Sequence, residues 1–251
     1  VAVKADLVDT LEAQIQALKD DIGMSSEFKW SSYKGGSRKR RAYHGLIDLM
    51  FDAIDRDYLH FHSLVVHFKK FDHHQQGRGS PHQSVNKLYF QLMLHDVCRR
   101  YGGKWRVLMF PDHGSDSEQI GRFREAICAR AYKQYGAQFG SLRTIKPMAS
   151  EKKGLLQMVD IAIGAMAAER ESRALKLCKD ELRAYFMDKS PVSNLAIDTH
   201  RDERCFTVWN FNSINIPMDY SGGIMLIEKI FQINSSDTNK PLFAISTGRK
   251  F

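Results

Sequence analysis

Gly154-Leu155-Leu156-Gln157-Met158-Val159-Asp160-Ile161-Ala162-Ile163-Gly164-Ala165-Met166-Ala167-Ala168 is the run around which the rest of the chain is organised. From Leu155 to Ala168 only Gln157 and Asp160 are polar. Such a run predicts a helix hydrophobic all round, which belongs in a core or a membrane. It falls short of the roughly 20 residues that span a bilayer, and it carries a carboxylate near its middle. The expectation is a buried central helix. Gln157 and Asp160 lie three apart and share one face. A buried, unpaired carboxylate is expensive, so Asp160 must be protonated, hydrogen-bonded, ion-paired or bound to a metal. A structural bond to a neighbouring loop and a ligand role are both open at this point.

Upstream of that helix the chain alternates between two periodicities. Val1-Ala2-Val3 reads as the end of a strand, and Leu7, Leu11, Ile15, Leu18 and Ile22 form one apolar helical stripe stopped by Gly23. Ser26-Glu27-Phe28-Lys29-Trp30 reads as a short strand with Glu27 and Lys29 on one face and Phe28 and Trp30 on the other. Ser31 to Arg41 is polar, basic and glycine-containing, which predicts a mobile loop. A second helix carries Leu46, Ile47, Met50, Phe51 and Ile54, and Tyr58 to Phe68 reads as a strand. His60 and His62 share a face of that strand, but with His67, His73 and His74 they match no compact zinc pattern.

A third helix is expected from Gln83 to Tyr101, ended by Gly102-Gly103, and a strand from Lys104 to Phe110. The strand stops at Pro111-Asp112-His113-Gly114, and Ser115-Asp116-Ser117-Glu118 has the pattern of a capping box for a fourth helix. An Asp at the carboxyl end of a strand is a common ligand position in α/β sheets, and also a common turn residue. Leu142 to Lys146 reads as a short strand leading into the central helix. The charged stretch Glu169 to Asp188 is expected to continue helically and project from the core, and Arg204 to Phe211 to return as a strand. Alternating strands and helices define an α/β protein with a mixed or parallel sheet.

The 251 residues are enough for one large domain or a domain with an extension, and 43% hydrophobic with 26% charged content is ordinary for a globular protein. The net charge of +8 points to a polyanionic partner such as DNA or RNA, or to a merely solvated basic surface. Much of the excess sits at Lys34, Arg38, Lys39, Arg40 and Arg41, and at Lys146, Lys152 and Lys153. Cys98, Cys128, Cys178 and Cys205 are widely spaced and make no Cys-x-x-Cys pair, which argues against a zinc site and suits a reducing compartment. With no signal-peptide pattern and no run of transmembrane length, a cytoplasmic location away from membranes is expected.

Glu27-Phe28-Lys29-Trp30, Val107 through Asp112 and Leu156-Gln157-Met158-Val159-Asp160 together resemble domain-of-unknown-function family 3800, of the ribonuclease H-like superfamily, over about residues 1–211. The Leu-Gln-x-x-Asp helix is the most specific match. The resemblance implies a ribonuclease H-like mixed sheet flanked by helices, and a divalent-metal-dependent nuclease acting on RNA or DNA. It makes Glu27, Asp112 and Asp160 the ligands of Mg²⁺ or Mn²⁺, with Lys29 and Gln157 beside them. The chemistry suits those residue types, because hard divalent ions favour oxygen ligands. Two ions about 4 Å apart can activate water and stabilise a leaving oxygen. Arg38, Lys39, Arg40 and Arg41 would track the phosphate backbone. A catalytically inactive nucleic-acid-binding or scaffold domain of the same fold is the alternative. A protein-interaction subunit, using the charged 169–188 stretch against a partner or a second copy, is a third.

Family members open with a strand ending in Asp-Glu-Ser-Gly, and no such stretch precedes Val1. Ile216-Pro217-Met218-Asp219-Tyr220-Ser221-Gly222 resembles that opening, with Tyr220 in place of Glu, and Pro241-Leu242-Phe243-Ala244-Ile245 resembles the apolar strand that follows. Residues 212–251 are either the displaced first strands of a circularly permuted domain or a C-terminal extension with a chance match, and a third alternative is an opening strand that precedes Val1. In the permuted case Asp219 supplies a fourth carboxylate to the metal site.

Overall fold

The computed structural model describes residues 1–67, 81–112, 120–171, 175–211, 224–227 and 231–235. Asp219, Phe251, His73, His74 and the capping-box residues Ser115–Glu118 lie outside the described residues.

A mixed sheet forms the middle of the molecule. Its strands are β1 (Ala2–Lys4), β2 (Leu59–His67), β3 (Trp105–Met109), β4 (Leu142–Ile145), β5 (Phe206–Phe211), β6 (Ile224–Ile227) and β7 (Phe231–Ser235). They lie in the order β4-β3-β7-β1-β2-β5, with β6 also paired to β2. The pairs β3–β4, β1–β7 and β2–β5 are parallel, while β3–β7, β1–β2 and β2–β6 are antiparallel. Phe61 through Val66 of β2 are all buried, as a strand covered on both faces requires. Two described pieces near the C-terminus, β6 and β7, belong to this sheet, and β7 lies between β1 and β3 and joins its two halves.

The flanking helices are α1 (Ala5–Asp20), α2 (Ser37–Asp55), α3 (Pro81–Leu92), α4 (Arg124–Tyr135), α5 (Gly154–Glu171) and α6 (Leu177–Lys189). The α3 helix runs on through a π-helical stretch, Met93–Cys98, to a last turn at Arg99–Tyr101. α5 is the expected central helix, buried at every position from Gly154 to Ala168. It packs on α1, α2 and α6, while α4 packs on the π-helical stretch that follows α3. Among the described residues no helix is long and apolar enough to cross a membrane.

Three sequence expectations need correction. Arg38 to Arg41 are not in a loop: α2 begins at Ser37, so all four occupy its first turns. Their cost beside the positive helix end is outweighed by the apolar face that follows, where Ala42, Tyr43, Leu46, Ile47 and Met50 are buried. Among the described residues Glu27 to Trp30 pair with no strand, although the alternation holds, with Phe28 and Trp30 buried and Glu27 and Lys29 half-buried. The described part of the charged 169–188 stretch that forms α6 does not project. Leu182 and Phe186, four apart on α6, are fully buried as that helix folds back on α2 and α5.

Candidate functional site

The polar pair on α5 reaches across to the segment before α2. Gln157 Oε1 accepts the Phe28 backbone N–H at 3.0 Å, and Asp160 Oδ2 accepts that of Trp30 at 2.8 Å. These are the bonds a strand would have made to a neighbour. Here side chains three apart on a helix make them to alternate residues of an extended segment, so Phe28 and Trp30 turn inward. Tyr43 of α2 secures the residue between, accepting the Lys29 N–H at 3.1 Å and donating to its carbonyl at 3.4 Å. Burial pushes the Tyr43 phenol above its ordinary value, so it stays protonated and able to donate.

Glycine at 164 makes room for this arrangement. A Cβ there would stand 2.1 Å from Trp30 Cγ, so the indole lies directly on the helix backbone. An interior helix glycine costs about 1 kcal/mol against alanine, and close ring packing is what it permits here. Gly154, the first residue of α5, is similarly crowded by Ile15 and Glu12 of α1. The Glu12 carboxylate accepts the backbone N–H groups of Gly154 and Leu155 at 2.7 and 3.2 Å, capping α5 from another helix.

The same bonding continues to Asp112. Gln157 Nε2 donates to the carbonyls of Ser150 and Glu151 at 3.2 and 3.1 Å, and the Ser150 N–H donates to Asp112 Oδ1 at 3.2 Å. Asp112 follows β3 and bridges in parallel to Met148, which follows β4. Glu27, Asp112, Gln157 and Asp160 therefore belong to one neighbourhood, where β3 and β4 end and α5 begins. Glu27 ion-pairs with Lys29 at its rim. The buried Lys19 ammonium sits 5.5 Å from the Phe28 ring centre. Burial lowers its pKa, opposed by the carboxylates of Glu12 and Glu27.

Magnesium takes one or two carboxylates together with water and phosphate oxygens, so these donors suit the ion in kind. They do not make a closed three-carboxylate centre: among the described residues Glu27, Asp112 and Asp160 form no group with ligand atoms within 4.8 Å of one another. Asp57, His60 and Cys205 do form such a group, at the other end of the sheet. Both of its stronger donors are engaged, however. Asp57 pairs with Lys4 at 3.0 Å and His60 at 2.7 Å, while the second His60 nitrogen meets the Tyr101 hydroxyl at 2.7 Å.

Of the basic run, Arg40 pairs with Glu181 at 3.3 Å and Arg41 with Asp21 at 2.9 Å, while Arg38 and Lys39 are exposed. Tyr43, Ser150 and Glu12 were not singled out from the sequence, and nothing local to them marks a role. Gly164 carried a signal, being a glycine inside an otherwise apolar helix. No protein-family model matches this chain, and neither a curated protein nor a solved structure does.

Proposed function

We propose that the chain is a ribonuclease H-like, divalent-metal-dependent phosphodiesterase acting on RNA or DNA, with Asp160 as the carboxylate on which cleavage depends. What supports this reading is the hydrogen-bonded chain that links Asp112, Gln157 and Asp160 to the segment 28–30, beside Glu27, at one end of the sheet. Asp160, Asp112 and Glu27, joined by Asp219, would hold Mg²⁺ or Mn²⁺, which when bound supplies Lewis acidity to the phosphodiester. Gln157 and Asp160 fix the backbone at Phe28 and Trp30 and so set Lys29 at the rim, where its ammonium offers a point charge to a phosphate oxygen. Exposed Arg38 and Lys39 extend the positive surface along which a backbone is drawn.

One observation favours a second reading, a binding domain without catalysis. The Gln157 amide is fully used, and Asp160 already holds the Trp30 N–H, so the pair has a structural role that needs no metal. Asp160→Asn distinguishes the two, because asparagine keeps the shape and an oxygen for the Trp30 N–H while removing the charge a metal needs. Labelled single- and double-stranded RNA and DNA are incubated with Mg²⁺, Mn²⁺ or chelator. The phosphodiesterase reading expects metal-dependent cleavage that falls by about a hundredfold or more in Asp160→Asn with the fold retained. Binding without cleavage, equal in the two proteins, sinks it in favour of the second.

A further inference from the structure

At the opposite end of the sheet, where β2, β3 and β5 begin, lies a cavity of about 670 Å³. Its walls carry Lys4, Arg99, Arg100, Lys104, Arg201 and Arg204 against only two carboxylates, Asp57 and Asp202. An adjoining hollow of about 330 Å³ shares Arg99, Arg100 and Arg201 with it. The cations come from separated parts of the chain: the end of β1, the last turn after α3, the turn into β3, and the loop before β5.

Most of the available counter-charge is already committed. Asp57, held in a left-handed conformation at φ 57°, is ion-paired with Lys4 and hydrogen-bonded to His60. Buried Asp96 lies 3.4 Å from Arg100 and 3.9 Å from Arg99, one carboxylate between two guanidiniums. Arg100 is further fixed by donating to the Glu203 carbonyl. Lys104, Arg201 and Arg204 are exposed and have no carboxylate within ion-pair distance among the described residues. The surplus is felt by its neighbours. Burial and the Arg100 and Arg201 charges push Arg99 below the ordinary arginine value. Burial, then Arg100, pushes His62 far below the ordinary histidine value.

Such a field repels cations, which removes the Asp57–His60–Cys205 group as a metal site and favours a compact polyanion. Forked guanidiniums suit phosphate oxygens, which they bind in pairs. The volume lies within the roughly 300–1,000 Å³ typical of small-molecule sites, and a concave hollow of that size, open on one side, suits a ligand of finite size or the end of a chain. Two aromatic residues, Trp105 and Tyr135, line the same cavity and offer ring surface beside the cations. We propose that this cavity binds a nucleoside 5′-polyphosphate, free or as the 5′ end of an RNA, with phosphates on Arg99, Arg100, Arg201 and Arg204 and the base against Trp105 and Tyr135. This inference does not rest on the phosphodiesterase reading, which concerns the other end of the sheet.

Calorimetric titration of the full chain, without divalent cations, tests it with ATP, ADP, AMP, adenosine and tripolyphosphate, and with oligoribonucleotides bearing a 5′-triphosphate or a 5′-hydroxyl. Affinity is expected to fall from ATP to ADP to AMP and to vanish for adenosine. Tighter binding of the triphosphorylated oligonucleotide than of ATP would identify an RNA end as the source. Arg201→Glu with Arg204→Glu, both on an exposed turn, should weaken ATP by at least about tenfold while the melting temperature holds. Trp105→Leu should weaken ATP several-fold and leave tripolyphosphate unchanged. Equal affinity for ATP and adenosine, no binding of any phosphate, or an unaffected double variant would each overturn the proposal.

Discussion

The two ends of the sheet use polar residues in opposite ways. Where β3 and β4 end, Asp160, Gln157 and Asp112 bond to backbone groups of Trp30, Phe28 and Ser150. Where β2, β3 and β5 begin, guanidiniums outnumber the carboxylates beside them, and several face an open cavity. The first end is built for position: it holds a segment that has no strand partner among the described residues, and any chemistry there depends on charge remaining after the bonds are made. The second is built for surplus, with charge left after internal pairing. Stability should therefore respond to substitution at the first end, and ligand affinity to substitution at the second.

The largest stability effect is expected at Gly164. Alanine there would place a methyl 2.1 Å from Trp30, with no open space on that side. Overpacking of this kind costs about 3 kcal/mol, and the Glu27–Trp30 segment should move with the indole. Denaturant unfolding measures the cost, and the Trp30 contribution to fluorescence should shift with it. An alanine variant as stable as the parent would mean that the first end is not locked.

Gln157→Met should rank second. Methionine keeps the volume but leaves the Phe28 N–H and two carbonyls without this partner in a buried setting, a loss of about 2 kcal/mol. A cost near zero would show that water replaces the amide and that this end is wetter than its burial implies.

Much of this end was legible in the sequence. The apolar run from Leu155 to Ala168 revealed a buried helix, and the spacing of Gln157 and Asp160 placed them on one face. The alternation at Glu27–Trp30 put Phe28 and Trp30 together on one face, and that face is the buried one. Its backbone partners were not legible, because side chains 129 and 130 residues away take the place of a strand. The start of α2 was hidden for a related reason: four cations beside Gly35 and Gly36 suggest a loop, and the buried face that fixes the helix comes only afterwards. Nothing local reveals the basic cavity, since its cations are gathered by topology from four stretches. Nor could periodicity place β7 between β1 and β3, which is a matter of sheet order rather than pattern.

Acid should weaken the region near the second end more than the first. His62 is fully buried on β2, bonded to Thr207 Oγ1 at 2.8 Å and to the Tyr101 hydroxyl at 2.5 Å. Burial and nearby cations hold its pKa well below 6.5 in the folded chain, whereas the unfolded chain takes up the proton near that value. The unfolded state then binds more protons than the folded one below about pH 6.5, so stability is lost as pH falls through that range. His44 and His95, also lowered by burial, act in the same direction. Denaturant midpoints between pH 7.5 and 5.5 should fall in the parent and fall less in His62→Gln. Identical slopes would assign the acid sensitivity to the other two histidines.

The smallest stability effects belong to the basic turn of α2, and they separate position from surplus within four residues. Arg40 and Arg41 are paired with Glu181 and Asp21, whereas Arg38 and Lys39 have no carboxylate within ion-pair distance among the described residues. Both pairs are exposed, so replacing any of the four by alanine should change stability by no more than about 0.5 kcal/mol. Loss of Arg38 or Lys39 should be neutral or slightly stabilising, since a cation in the first helical turn opposes the macrodipole. Nucleic-acid affinity should divide them more clearly. Each cation that neutralises a phosphate contributes about one unit to the slope of log affinity against log salt. A cation already paired with a carboxylate must give up that partner first. The Arg38→Ala, Lys39→Ala double variant should therefore flatten the slope more than the Arg40→Ala, Arg41→Ala double variant, as measured by salt titration of binding to a labelled oligonucleotide. Equal flattening would show that the surface pairs open freely on binding, and an unchanged slope in both would remove this turn from the nucleic-acid surface.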